Sequence, residues 1–278
     1  MRRLTGGGIW NSGRCVVTGS VENKVVIVTG AARGIGAGIA ANLVENGAKV
    51  VIADLNEETA RQTAAKISTG DGDAIAIGVD VSDRQSVQEL IARTVEHFSR
   101  LDVMFNNAGI SQTCPFLEVT DDDFDRIMRI NGRGVLIGTQ EAAKQMIAQG
   151  TGGKIVNTAS IAGKQGYPLF AHYCASKFAV VALTQAAARS LAEHKITVNC
   201  FGPGVVKTEL WEQLDREFMD HGLTAKPEQA INEFSQSILL GRVSLPADIT
   251  GVTTFLASAA SDYITGQTIM VDGGMVLI

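Results

Sequence analysis

Lys24-Val25-Val26-Ile27-Val28-Thr29-Gly30-Ala31-Ala32-Arg33-Gly34-Ile35-Gly36 passes from an unbroken apolar run, through a glycine-rich loop, into helical periodicity. An apolar run of five residues without alternation predicts a strand buried on both faces. Ile35 to Glu45 carries the helical spacing, and Gly47 follows as a stop signal. The same unit recurs downstream. Lys49–Ala53, ending at Asp54, predicts a second buried strand and Glu57–Ile67 a helix; Ala74–Val79, ending at Asp80, predicts a third strand. Asp83 is placed to cap a helix reaching about Phe98, before a strand at Val103–Phe105. Thr120 opens a long helical region running toward Gln149, and Gly153–Thr158 is a fifth strand. A helix around Tyr173 extends to about Glu193, Ile196–Cys200 is a sixth strand, Pro246–Ala257 is helical, and Thr268–Val271 is a seventh strand. Strict alternation of strand and helix predicts an α/β fold. The expected architecture is one doubly wound, Rossmann-type parallel sheet of about seven strands covered by helices on both faces.

Composition agrees with a single packed domain. Of 278 residues, 45% are hydrophobic and 19% charged, with 30 glycines and only 5 prolines. A net charge of −5 without a basic run argues against nucleic acid as a partner. No apolar stretch is long enough to span a membrane. Cys15, Cys114, Cys174 and Cys200 lack metal-ligand spacing and read as small buried hydrophobes in a reducing, cytoplasmic protein; no metal site is expected. Met1 to about Val21, rich in Gly, Ser and Arg, reads as a flexible extension, and 22–278 as the domain. The polar segment 208–240 interrupts the alternation and reads as a lid on the substrate side.

The loop between the first strand and helix has the composition of a phosphate cradle. Glycines let the backbone turn and approach a pyrophosphate, and the helix N-terminus favours its charge. Gly30, Arg33, Gly34, Ile35 and Gly36 are therefore candidate cofactor contacts. Asp54, at the end of the second strand and 24 residues after Gly30, can accept hydrogen bonds from ribose hydroxyls and would repel a 2′-phosphate. That favours NAD over NADP, whereas Arg33 in the loop pulls the other way.

Tyr173 and Lys177 lie four residues apart, on one face of the predicted helix. Such pairs also occur on ordinary solvated helix faces. Beside a nucleotide loop the pair reads as an acid-base couple, the cation expected to lower the phenol's pKa toward working pH.

With Thr29-Gly30-x-x-x-Gly34-x-Gly36, Asp80-Val81, Asn106-Asn107-Ala108-Gly109, Asn131, Ser160, Tyr173-x-x-x-Lys177, Pro203-Gly204 and Val271-Asp272-Gly273-Gly274 in this order, the chain resembles the short-chain dehydrogenase/reductase family. The resemblance implies that Asp80 and Val81 hold the adenine and that Asn107 and Gly109 line the cofactor floor. It also implies that Pro203, Gly204, Val206 and Thr208 lie along the nicotinamide and pyrophosphate. Tyr173 would exchange a proton with the substrate oxygen, Lys177 would tune it and bind the nicotinamide ribose, and Ser160 would bind that same oxygen. Asn131 would hold a water linking Lys177 to solvent.

The loops at Ser160–Pro168, Pro203–Asp215 and Ser261–Gln267 are similar to the acetoin reductase/2,3-butanediol dehydrogenase group and, nearly as closely, to bacterial sorbitol and galactitol dehydrogenases. Both groups imply oxidation of a secondary alcohol beside another hydroxyl. Ile161, Phe170 and Trp211 are candidate walls of the substrate pocket, and an apolar Ile161 suits a methyl-bearing diol better than a polyol. Further alternatives are a 3-oxoacyl-type reductase and a non-catalytic NAD-binding regulator; the latter is disfavoured by the intact Ser160, Tyr173 and Lys177. The resemblance implies a homotetramer, and the apolar end Met275–Ile278 suits a subunit contact.

Overall fold

The structure, a computed structural model, describes residues 20–70 and 72–277. Most of the stretch read as an extension (1–19) therefore lies outside the described residues, as do Cys15 and Ile278. The strands are β1 (Val25–Thr29), β2 (Lys49–Asp54), β3 (Ala74–Gly78), β4 (Val103–Asn106), β5 (Gly153–Thr158), β6 (Ile196–Pro203) and β7 (Thr268–Val271). They form one parallel seven-stranded sheet in the order β3-β2-β1-β4-β5-β6-β7. The order reverses between β1 and β4, and doubly wound sheets bind ligands in the crevice at that point, beyond the strands' carboxyl ends.

The pleat splits each strand between two cores. Val26, Val28, Val50, Ile52, Val103 and Phe105 face one cluster; Ile27, Val51, Ala53 and Met104 face the other. The first is covered by α1 (Gly34–Glu45), α2 (Glu57–Ile67) and α9 (Pro246–Ala257). The second is covered by α3 (Arg84–Phe98), α5 (Gly134–Gln149) and α6 (Ala171–Leu191). Burying a side chain such as Phe105 contributes about 1.5–3 kcal/mol. Val21 is fully buried in the first cluster, one residue before the boundary read from the sequence.

Two regions differ from the sequence reading. The helix expected from Thr120 to Gln149 is interrupted: α4 (Asp121–Ile127) leads into a π-helical turn at Met128–Arg133 before α5, and the Gly134 N–H bonds the Arg129 carbonyl five residues back. Such turns interrupt the regular ladder and often mark functional sites. Here the turn carries Asn131. The sixth strand runs three residues past its expected end because β7 pairs with it up to Pro203. The segment 208–240 contains α7 (Glu209–Asp220) and α8 (Gln229–Ser235), joined where the Asp215 carboxylate accepts from the Glu228 and Ala230 N–H groups.

Candidate active site

A cleft of about 710 Å³ opens at the carboxyl ends of the strands. Gly30 has φ +64°, and a Cβ there would stand 2.7 Å from the Ala108 Cα; a Cβ on Gly36 would stand 2.3 Å from the Gly30 carbonyl oxygen. Only glycine fits at either place, so bare backbone faces the cleft. The first turn of α1 holds no acidic residue, leaving its N-terminus free to receive an anion. Arg33, Gly34 and Ile35 line this end. Asn107 locks the loop from below: its amide nitrogen donates to the Thr29 and Gly30 carbonyls, and its amide oxygen accepts from Thr158 Oγ1. The Asp54 carboxylate accepts from the Ala32 and Asn56 N–H groups and faces the same cleft, which Asp80 and Val81 line farther along. Gly109, Pro203, Gly204, Val206 and Thr208 line the opposite stretch. The long cleft, uncovered backbone at a helix N-terminus and carboxylate at the end of β2 fit a dinucleotide.

Tyr173 and Lys177 project from one face of α6 into the far end of the cleft. Lys177 Nζ sits 5.7 Å from the Tyr173 ring centroid and donates to the Thr158 carbonyl at 2.8 Å. The expectation of a lowered phenol pKa is reversed here. Burial pushes the Tyr173 phenol up to about 12, with the neighbouring Ser160 hydroxyl opposing the rise. Burial likewise pulls the Lys177 ammonium down to about 8. Loss of solvent dominates because it penalises both charged forms, and the ammonium is anchored to a carbonyl rather than to the phenol oxygen.

Ser160 ends β5 and begins the turn that carries Ile161; its hydroxyl accepts from the Ala162 N–H at 3.1 Å and stands beside the phenol. Asn131 is completely buried. Its oxygen accepts from the Ile110 N–H, and its two amide protons go to the Ile110 carbonyl and Ser176 Oγ. The side chain thus has no donor left over. It ties the loop after β4 to α6, and any proton relay at this position involves groups other than its amide N–H. Underneath, Asn106 donates to Asn157, which donates to Thr184 of α6, fixing the helix against the sheet.

Next to Ser160 and Tyr173 a pocket of about 70 Å³ branches off the cleft. Ile161, Phe170 and Trp211, the candidate walls, all line it. Sequence reasoning missed Ser111, Tyr167, Leu214 and Phe234, which line it too. Leu214 and Phe234 belong to α7 and α8, whose apolar faces close over the site: Trp211 and Phe234 meet edge-on at 5.5 Å between ring centroids, and Phe170 packs against Phe218, Phe234 and Tyr173. The helical spacing of apolar residues in 208–240 was the available signal. Thr158, whose carbonyl holds Lys177, and Ser176, which holds Asn131, were also missed because backbone acceptors and small hydroxyls leave no mark in a motif.

The chain belongs to the short-chain dehydrogenase family: the model for "short chain dehydrogenase" matches residues 24–218. It is accordingly an oxidoreductase of the alcohol dehydrogenase type. Among its relatives, L-2,3-butanediol dehydrogenase of Corynebacterium glutamicum is 44% identical over 91% of this chain and 98% of its own. Diacetyl reductase [(S)-acetoin forming] of Staphylococcus aureus is 46% identical, and sorbitol dehydrogenase of Cereibacter sphaeroides 41%, each over 91% of this chain and 98% of its own. A crystal structure described as an NAD(P)-dependent gluconate 5-dehydrogenase from Beutenbergia cavernae, with NADP at low occupancy, superposes with a TM-score of 0.82 at 32% identity, over 92% of this chain and 98% of its own.

Proposed function

We propose that this protein is an NAD(H)-dependent dehydrogenase that interconverts a small vicinal diol and its hydroxyketone. The observation that carries the reading is the small, largely apolar pocket walled by Ile161, Phe170 and Trp211 directly beside Ser160 and Tyr173. It suits a short methyl-bearing chain, and relatives named for butanediol and diacetyl share most of this chain's length. A bound nicotinamide supplies the hydride acceptor or donor. The protein contributes everything else. Tyr173 Oη takes the alcohol proton during oxidation and returns it to the ketone oxygen during reduction. Ser160 Oγ holds that oxygen against the phenol. Lys177 binds the nicotinamide ribose and, as its ammonium, offsets part of the burial that disfavours the phenolate. Asn131 orients the loop after β4 and the helix that carries the pair. Asp54 accepts from the adenosine ribose hydroxyls and disfavours a 2′-phosphate. A polyol dehydrogenase is the second reading, favoured by the sorbitol and galactitol relatives.

Initial rates with acetoin, 2,3-butanediol, sorbitol and galactitol, each with NAD(H) and then NADP(H), decide between them. We expect the highest kcat/KM for the four-carbon pair with NAD(H). Turnover of hexitols alone overturns the diol reading, and equal use of NADP(H) overturns the role given to Asp54. We also read the protein as a cytoplasmic homo-oligomer. The described cysteines are free and buried, and the C-terminal segment leaves Leu277 exposed. Light scattering of the same preparation should give a tetramer mass; a monomer contradicts it.

A further inference from the structure

We propose that Ser111 binds the second oxygen of the substrate, the one on the carbon next to the reacting carbon. The proposal rests on the diol reading and extends it to the group that distinguishes a vicinal diol from a simple alcohol. Ser111 is only 3% exposed, and among the described residues its hydroxyl has no hydrogen-bond partner. A buried hydroxyl without a partner is uncommon, because leaving it unsatisfied is costly. Ser111 is one of the residues lining the small pocket that also contains Ser160 and Tyr173. The rest of that lining is apolar apart from the Trp211 indole and Tyr167, whose hydroxyl accepts from Gln165 Nε2.

The backbone around Ser111 is fixed while its side chain stays unpaired. Asn131 clamps both polar groups of Ile110, the Ser111 carbonyl accepts from Gln213 Nε2 of α7, and Glu217 of the same helix accepts from the Thr113 N–H and hydroxyl. A hydroxyl held this firmly and left unpartnered is preorganised for a ligand atom. With the reacting oxygen between Ser160 and Tyr173, the neighbouring oxygen of a diol or hydroxyketone is the polar atom within the same pocket. A site built around such a bond discriminates against the analogue that lacks the oxygen.

The test compares kcat/KM for acetoin with that for 2-butanone, in the wild-type protein and in Ser111→Ala, alongside thermal melting of both. We expect Ser111→Ala to lower the acetoin/2-butanone ratio by about 10- to 100-fold. Melting of the free protein should be unchanged or higher, since the hydroxyl removed had no partner. An unchanged ratio, or equal losses on both ketones, overturns the Ser111 proposal and leaves the diol reading intact. If the wild-type protein instead oxidises hexitols alone, the diol reading falls. The Ser111 proposal is then judged by the same ratio measured with sorbitol and 2-hexanol. Activity on neither class overturns both.

Discussion

Tyr173→Phe is expected to lower kcat by about 10²-fold or more in both directions while nucleotide binding persists. The substitution removes one oxygen and leaves the ring packed against Phe170. Only the atom that exchanges the proton is lost. Ser160 remains to hold the substrate oxygen, so residual turnover is expected rather than none. Steady-state kinetics, with nucleotide affinity measured separately by fluorescence, checks both halves. A variant with near-normal kcat contradicts the catalytic assignment, whereas loss of nucleotide binding alone would make Tyr173 a binding residue.

Gly36→Ala should be nearly as damaging, for a steric reason. The added methyl would lie 2.3 Å from the Gly30 carbonyl oxygen and 2.6 Å from Asn107 Nδ2. Both belong to the bonds that hold the loop at the start of α1. The loop must shift, and overpacking of this kind costs about 1–3 kcal/mol. Because a misplacement of about 1 Å can lower a rate on the order of 10²-fold, kcat/KM should fall by that order, together with the melting temperature. Wild-type stability and kcat/KM in this variant would show that the backbone approach at Gly36 is not needed.

Much of the fold was readable in the sequence because both determinants are local. Val25–Thr29 is buried on both faces, and an unbroken apolar run states that directly. Asp83 caps α3 with its side-chain oxygen, as its residue type and place before the helix suggested. The π turn at Met128–Arg133 was not read from the sequence, and Asn131 within it bonds Ile110 and Ser176, partners remote in the chain. Candidate site residues inside short motifs could be named from the sequence, and the structure places them along the cleft. Ser111 and Phe234 were not named, because they reach the pocket through tertiary packing of the loop after β4 and of α8. The electrostatics inverted for a related reason. Spacing on a helix brings Tyr173 and Lys177 together, but the desolvation that raises one and lowers the other depends on everything packed around them.

The central claim, that a buried phenol and a buried ammonium run the proton transfer, has a sign that can be measured. Oxidation needs Tyr173 deprotonated, and reduction needs it protonated. With the phenol pushed up to about 12, it stays protonated at neutral pH, and Lys177 begins to lose its proton near 8. The decisive measurement is kcat/KM against pH in both directions on the wild-type protein. Oxidation of the diol should rise by up to about tenfold per pH unit through neutrality and bend over as Lys177 titrates, while reduction of the hydroxyketone should stay level and then decline above that point. Oxidation that is flat or falls with pH across the neutral range, or two superimposable profiles, would contradict the account.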